Sequence, residues 1–179
     1  MKKLMFMLAA VAVAACTQAA SVSWTCTNVK DGSGNAIDGI AYFVNAATLS
    51  QETLATYTKA SDFTTALSGM YSYTPSTAGK YTSAAVENAT LGLTDATASQ
   101  AYLVIFDTAT ITDSSNYYVT EVKSFDTYAG TMTQNVKWGS QSTASQAAGA
   151  WTAVSVPEPT SGLLMLIGMA GLALRRRRA

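Results

Sequence analysis

Residues 101–106 read AYLVIF, the most continuous apolar run between the two ends of the chain. An apolar run of this length with polar neighbours is typical of a strand that is buried on both faces. Residues 117–125 (YYVTEVKSF) follow, and their side chains alternate as they do in a half-buried strand. Residues 113–116 (DSSN) are turn formers. These segments predict two strands joined by a turn, with the strand at 101–106 in the centre of a sheet.

The segments before and after this pair predict further strands. Residues 21–29 (SVSWTCTNV) alternate, residues 31–35 (DGSGN) favour a turn, and residues 40–44 (IAYFV) are apolar. This order predicts a hairpin that runs from Trp24 to Val44. Weaker or closing strands are predicted at residues 71–73, 81–86, 91–93, 133–138 and 151–156.

Short helices interrupt the strand pattern. Residues 48–51 (TLSQ) have the form of a capping box, which predicts a helix over residues 49–59, and residues 61–67 add another helical turn. Residues 139–149 are rich in Ser, Ala, Gln and Gly, which predicts a flexible loop or linker. The body, residues 21–156, is therefore predicted to be mainly β, an antiparallel β-sandwich-like single domain with one or two short helices.

The N-terminal end has the layout of a secretory signal peptide. Two lysines precede an apolar run at residues 4–15, and small residues then offer cleavage after Ala19 or after Ala20. Because this run is too short to span a bilayer, residues 1–20 are predicted to be a signal helix for the Sec translocon and signal peptidase. An alternative also fits, because the sequence VAAC ending at Cys16 resembles a lipobox, in which Cys16 would be lipidated.

The C-terminal end, residues 157–179, predicts a membrane anchor. Pro157, Glu158 and Pro159 form a stiff, extended segment, and an apolar run at residues 163–174 then predicts a hydrophobic anchor helix. Four arginines follow this run, and they act as a cytoplasmic stop under the positive-inside rule. They are Arg175, Arg176, Arg177 and Arg178. Both ends of the chain therefore place the body outside the cytoplasmic membrane.

The order of these C-terminal elements resembles the PEP-CTERM protein-sorting domain, and the resemblance covers residues 157–179 only. It implies recognition by an exosortase, a membrane protease that cuts near the Pro-Glu-Pro motif, after a transient stay in the membrane. It also implies delivery to the cell surface or to an extracellular matrix, where an exopolysaccharide is a candidate partner. An ordinary tail anchor with a chance Pro-Glu-Pro is the alternative. The body is similar in style to small PEP-CTERM cargo proteins, which implies no activity.

Charge and composition exclude several classes of function. The body carries five lysines and ten carboxylates, a net charge of −5, which argues against binding nucleic acid. The chain has no histidine, which excludes Ser-His-Asp and Cys-His catalysis and most zinc sites. Cys26 stands between two threonines and is expected to be a small buried hydrophobe. The loop after Asp31 lacks the glycine and the glutamate of a calcium loop. We therefore expect no catalytic residue, no metal site and no cofactor.

Aromatic side chains offer the best candidate for binding. Tyr71, Tyr73 and Trp138 are predicted to form a sugar-stacking surface, and Tyr117, Tyr118 and Trp151 are further candidates. The same residue types are equally common in the core and at the edges of sandwiches.

Carboxylates and one sequon are the remaining candidates. Paired acids for a glycoside hydrolase would come from Asp107, Asp113, Glu121 and Asp126. Asn88 begins an Asn-Ala-Thr sequon. The expected function is a non-enzymatic surface or matrix protein with a structural or interaction role. A carbohydrate-binding module is the first alternative, and a glycoside hydrolase is the second.

Overall fold

The computed structural model describes residues 19–155, and their strands form two sheets. The strands are β1 (Ser21–Thr27), β2 (Ala41–Asn45), β3 (Ser72–Tyr73), β4 (Lys80–Glu87), β5 (Ala98–Phe106), β6 (Asn116–Val119), β7 (Lys123–Asp126), β8 (Thr133–Ser140) and β9 (Trp151–Ala153). The helices are α1 (Gln51–Leu54), α2 (Ala60–Ala66), α3 (Ser142–Ser145) and a 3₁₀ turn at Asn88–Leu91.

Several sequence predictions fall outside the described residues. They concern most of the signal segment, Cys16, the Pro-Glu-Pro motif, the anchor helix and the four arginines. Within residues 19–155, no helix has both the length and the apolar character needed to cross a membrane.

The larger sheet has the strand order β3-β2-β5-β6-β9, and β7 also pairs with β5. The prediction of a central strand is confirmed, because β5 pairs with β2 on one side and with β6 and β7 on the other. The prediction of one strand over residues 117–125 is wrong. The chain breaks between β6 and β7 at Thr120, whose hydroxyl accepts a hydrogen bond from the Leu103 amide at 2.9 Å. This buried side chain replaces a ladder contact, and the strand restarts three residues later.

The smaller sheet has the order β4-β1-β8, with β1 antiparallel to β4 and parallel to β8. The predicted hairpin from Trp24 to Val44 is therefore wrong, because β1 and β2 lie in different sheets. The turn at residues 31–35 does form, and a single bridge between Lys30 and Ala36 closes it. The chain then crosses to the other sheet instead of continuing the pairing.

Two apolar clusters fill the domain. One contains side chains from both sheets, including Trp24, Phe43 and Trp138. The other lies on the opposite face of the larger sheet, where Leu54 of α1 and Phe63 of α2 contribute to its cover. The mainly β fold class with antiparallel-rich sheets and few short helices is thus confirmed, and the parallel pair β1–β8 is an addition to it.

Two local predictions need correction. The N-cap of α1 is Ser50, whose hydroxyl accepts from the Thr53 amide at 3.1 Å, and not Thr48. The segment 139–149, predicted to be a flexible loop or linker, contains the end of β8 and the helix α3. Its helix α3 buries Ser145, which accepts a hydrogen bond from the Lys30 amide at 3.0 Å.

Candidate functional site

The last described strand leads directly into the predicted sorting segment. β9 pairs with β6, and the next residue, Val154, is fully buried. The Val154 amide donates to the Ser115 carbonyl at 2.8 Å. Only two residues, Ser155 and Val156, separate this buried contact from Pro157. In the sequence, the predicted sorting segment therefore follows the domain with only two intervening residues.

Cys26 lies in β1 and has no exposed surface. Burial removes the thiolate from water, which raises the pKa of the Cys26 thiol to about 12. The thiolate is the nucleophilic form, so this side chain is a packing residue in the folded domain.

The Cys26 thiol is expected to remain unreactive toward DTNB at pH 8 in the native protein and to react fully once the protein is unfolded in guanidinium chloride. Its burial and its raised pKa are the reasons. The measurement is the absorbance of released thionitrobenzoate with and without denaturant. Full reaction of the native protein within minutes would contradict the burial of Cys26.

The predicted sugar-stacking residues belong to the core. Trp138 is only 4% exposed, and its ring packs edge-on against Trp24 at 6.3 Å and Phe43 at 6.1 Å. Its indole nitrogen donates to the Glu121 carbonyl at 2.9 Å. Since a stacked sugar needs a free ring face, the prediction is wrong for Trp138.

Tyr71 and Tyr73 are half-buried against the same cluster. The Tyr73 ring packs edge-on to Trp24 at 5.6 Å, and the Tyr71 hydroxyl lies 3.2 Å from the Ser83 hydroxyl. With Trp138 buried, these two rings do not form a continuous aromatic row. The three predicted residues serve the packing between the sheets.

The other aromatic candidates are also packing residues. Tyr117 and Tyr118 are buried, and burial raises the pKa of Tyr118 to about 12. The Tyr118 hydroxyl donates to the Gln141 side-chain oxygen at 2.7 Å. Trp151 is half-buried, and its indole nitrogen donates to the Lys30 carbonyl at 2.9 Å.

Two of the candidate carboxylates hold loops at one end of β5. Asp107 accepts hydrogen bonds at 2.8 Å from both the backbone and the side-chain nitrogen of Asn116, which closes the turn into β6. Asp113 accepts from the Ala60 amide at 2.8 Å, at the start of α2. Both acids therefore satisfy backbone donors.

The other two carboxylates are separate from this pair. Glu121 forms an ion pair with Lys123 on the surface. Asp126 pairs in register with Ala98, at the opposite end of β5 from Asp107. A glycoside hydrolase needs two acids on either side of one bond. These four are spread along β5: Asp107 and Asp113 lie at one end, Asp126 lies at the other, and Glu121 follows Thr120, which bonds to Leu103 between them. Within residues 19–155, no three acidic, histidine or cysteine side chains are grouped for a metal.

The loop after Asp31 is a hydrogen-bonded turn. The Asp31 carboxylate accepts from the Ser33 amide at 2.9 Å and from the Asn35 amide at 2.8 Å, and also from the Asn35 side chain at 3.0 Å. The hydrogen bond from the Asn35 side chain is the largest of the effects that lower the pKa of Asp31. This carboxylate is occupied by the hydrogen bonds of its own turn, as is common for Asp in turns.

The sequon asparagine is inaccessible in the folded domain. Asn88 is 1% exposed, and its side-chain nitrogen donates to Asp95 at 2.7 Å. Glycosylation would have to modify this same nitrogen. The fold therefore disfavours sugar at Asn88 once the domain has formed.

A groove of about 820 Å³ lies at the start of β5. Its lining comes from residues 45–47, 94, 97–100 and 124–126, of which Asp126 alone is charged. Sequence reasoning missed it because each of these segments reads as an ordinary strand end or loop, and only the pairing of β5 with β2 and β7 brings them together.

Comparison with known proteins assigns the end of the chain. Residues 155–178 match the family model described as the PEP-CTERM protein-sorting motif. No curated protein and no solved structure matches the chain. The chain therefore carries a PEP-CTERM protein-sorting motif immediately after its β domain, and this motif marks it for exosortase processing and export to the cell surface.

Proposed function

We propose that the mature protein is a non-catalytic component of the cell surface or extracellular matrix, with a structural or interaction role. The PEP-CTERM motif at residues 155–178 is the observation that carries the proposal. This motif accounts for the destination of the protein, and the β domain before it is the cargo that is sorted. The Sec translocon and signal peptidase would act on the N-terminal end, and the exosortase on the C-terminal end.

The roles of the polar side chains support a non-catalytic cargo. Asp107 and Asp113 hold loops, and Asp126 lies at the other end of β5. Cys26 is buried, and the chain has no histidine to activate a nucleophile. These observations favour a domain with a structural or interaction role over one that converts a substrate.

The native protein is expected to have lost both ends, with a first residue of Ala20 and a last residue near Pro157. Ala20 is 1% exposed, and its carbonyl accepts from the Asn88 amide at 2.9 Å. A mature chain that began at Ser21 would lose this acceptor, so the signal would end at Ala19, one residue before the predicted boundary. Intact-mass spectrometry of protein from the envelope and the culture supernatant measures both ends.

The same spectra decide between the alternatives. A mass without added sugar is expected, because Asn88 is buried.

A variant with Pro157, Glu158 and Pro159 replaced by alanine should keep its arginines and stay in the membrane fraction, whereas the exposed control Lys137→Ala should be processed normally. A lipidated Cys16, or a native chain that ends at residue 179, would contradict the proposed processing.

A further inference from the structure

The groove at the start of β5 lies at the opposite end of this strand from Val154, which is buried just before the described part of the chain ends. Val154 bonds to Ser115, beside the turn that follows Phe106 at the end of β5. The groove is built around Ala98 at the beginning of the same strand. At about 3.3 Å per residue, β5 separates the two by roughly 26 Å. A domain held at its C-terminal end therefore presents the groove away from the holding point.

The walls of the groove are fixed by hydrogen bonds within the chain. The Asn45 side chain donates to the Gly92 carbonyl at 2.7 Å and accepts from the Ala47 amide at 3.0 Å. On the other wall, the Thr97 hydroxyl donates to the Thr94 carbonyl at 2.6 Å. These side chains hold the loops in place before any ligand arrives, which lowers the entropy cost of binding.

Between these walls, polar side chains of β5 and β7 lie on one exposed face of the sheet. Gln100 pairs with Ser124, and Ala98 pairs with Asp126, so the four side chains project from the same face of the β5–β7 ladder. The Gln100 side-chain nitrogen donates to the Ser124 hydroxyl at 3.1 Å. The Gln100 oxygen, the Ser124 hydroxyl proton and the Asp126 carboxylate have no partner among the described residues. Gln100, Ser124 and Asp126 are all exposed.

The chemistry of the groove selects among ligand classes. The lining contains no lysine or arginine, and the body has a net charge of −5, so an anionic ligand is repelled. The backbone of β5 is paired with β7 on one side, and the Gln100 carbonyl accepts from the Ala46 amide on the other. At Gln100, β5 therefore offers an extended peptide no free strand edge. Amide, hydroxyl and carboxylate groups match the hydroxyls of a neutral sugar, each of which donates and accepts.

We propose that this groove binds a neutral saccharide, with Gln100, Ser124 and Asp126 as its hydrogen-bonding residues. The proposal rests on the proposed function, since it names the ligand class of the exported domain. The volume of about 820 Å³ lies within the range of ~300–1,000 Å³ that is usual for ligand sites. The site differs from the predicted stacking surface, because it uses none of Tyr71, Tyr73 and Trp138.

The test is a titration of the ¹⁵N-labelled mature protein, purified as the host processes it, with defined probes. Cellohexaose, maltohexaose and xylohexaose are the neutral probes, a hexamer of galacturonic acid is the anionic probe, and a Ser/Gly peptide represents an extended polypeptide. A neutral probe is expected to shift the amide signals of Ser99, Gln100 and Ser124. Gln100→Ala should weaken this binding about three- to tenfold, and Asp126→Ala about tenfold or more.

The control is Gln134→Ala, a matched change on β8 in the other sheet, which should leave the affinity unchanged. Thermal midpoints of all three variants confirm that each is folded. The proposal is overturned if no neutral probe binds, if only the anionic probe or the peptide binds, or if Gln100→Ala and Asp126→Ala both leave the affinity unchanged. The proposed surface role has its own test in the intact mass, so the two can fail separately.

Discussion

A Gly39→Ala variant is expected to lose at least about 3 kcal/mol of unfolding free energy. A methyl group at this position would overlap the carbonyl oxygen of Phe106, and it would lie 2.7 Å from both the Asp107 carbonyl carbon and the Thr108 nitrogen. All three are backbone atoms, so no side chain can rotate away. Gly39 does not have a positive φ, so the expected effect comes from the close approach.

The backbone around Gly39 cannot easily move aside. The Ile40 amide donates to the Thr108 carbonyl at 3.1 Å, and the Phe106 amide donates to the Ile40 carbonyl at 2.8 Å. The buried Tyr81 hydroxyl donates to the Gly39 carbonyl at 3.1 Å. Relief of the clash would break these contacts, which tie the crossing segment to the end of β5.

Chemical and thermal denaturation of the purified domain measure the loss, which corresponds to a fall of about 10 °C or more in the melting temperature. Gly32→Ala is the matched control, because a methyl group there meets nothing within 4 Å. It should change stability by less than about 0.5 kcal/mol. Equal stability of the two variants would show that the crossing segment does not pass against β5 as described.

A Trp24→Ala variant is expected to lose about 3–5 kcal/mol. Trp24 is fully buried in β1 and packs against three rings: Tyr73 at 5.6 Å, Trp138 at 6.3 Å and Phe43 at 6.4 Å. These rings come from both sheets, so the cavity left by the indole would open at the contact between them. Denaturant unfolding followed by circular dichroism gives the free energy.

A second substitution separates packing from hydrogen bonding. The Trp24 indole nitrogen has no hydrogen-bond acceptor in the part of the chain that the structure describes. Trp24→Phe should therefore cost clearly less than Trp24→Ala, since it removes volume but no polar contact. Met132→Ala, at a side chain 57% exposed, is the surface control and should be nearly neutral. A Trp24→Ala loss below about 1.5 kcal/mol would contradict the central position of this side chain.

The sequence predicted the parts of the fold that local patterns encode. The apolar run in β5 identified the central strand, and the DSSN turn identified its neighbour β6. Local patterns did not reveal that β1 pairs in parallel with β8, a partner more than a hundred residues away. Such pairing depends on which apolar faces meet in the folded chain, and the turn after Asp31 looked sufficient for a hairpin with β2. The hairpin was predicted wrongly because the local pattern does not show that β1 pairs with β8 and β4 instead of β2.

The candidate sites also divide into those that a local pattern encodes and those that depend on the folded chain. The sorting motif was predictable because it is contiguous, and its residues act as a linear signal. The stacking surface was predicted wrongly at Trp138 because residue type alone does not distinguish a core ring from a surface ring. The groove was not predicted, because Asn45, Gln100 and Asp126 are far apart in sequence and meet only through the pairing of three strands.

The position of the two chain ends has a mechanical consequence. The chain enters the domain at Ala20, whose carbonyl bonds to Asn88, and leaves it at Val154, beside the far end of β5. β1 and β9 both run from the end of the domain near Ala98 toward the end near Phe106. A pull between the two ends therefore acts along these strands, and it loads the hydrogen bonds of each ladder together instead of one after another. At the C-terminal end this load falls on β9, which is held to β6 over three residue pairs.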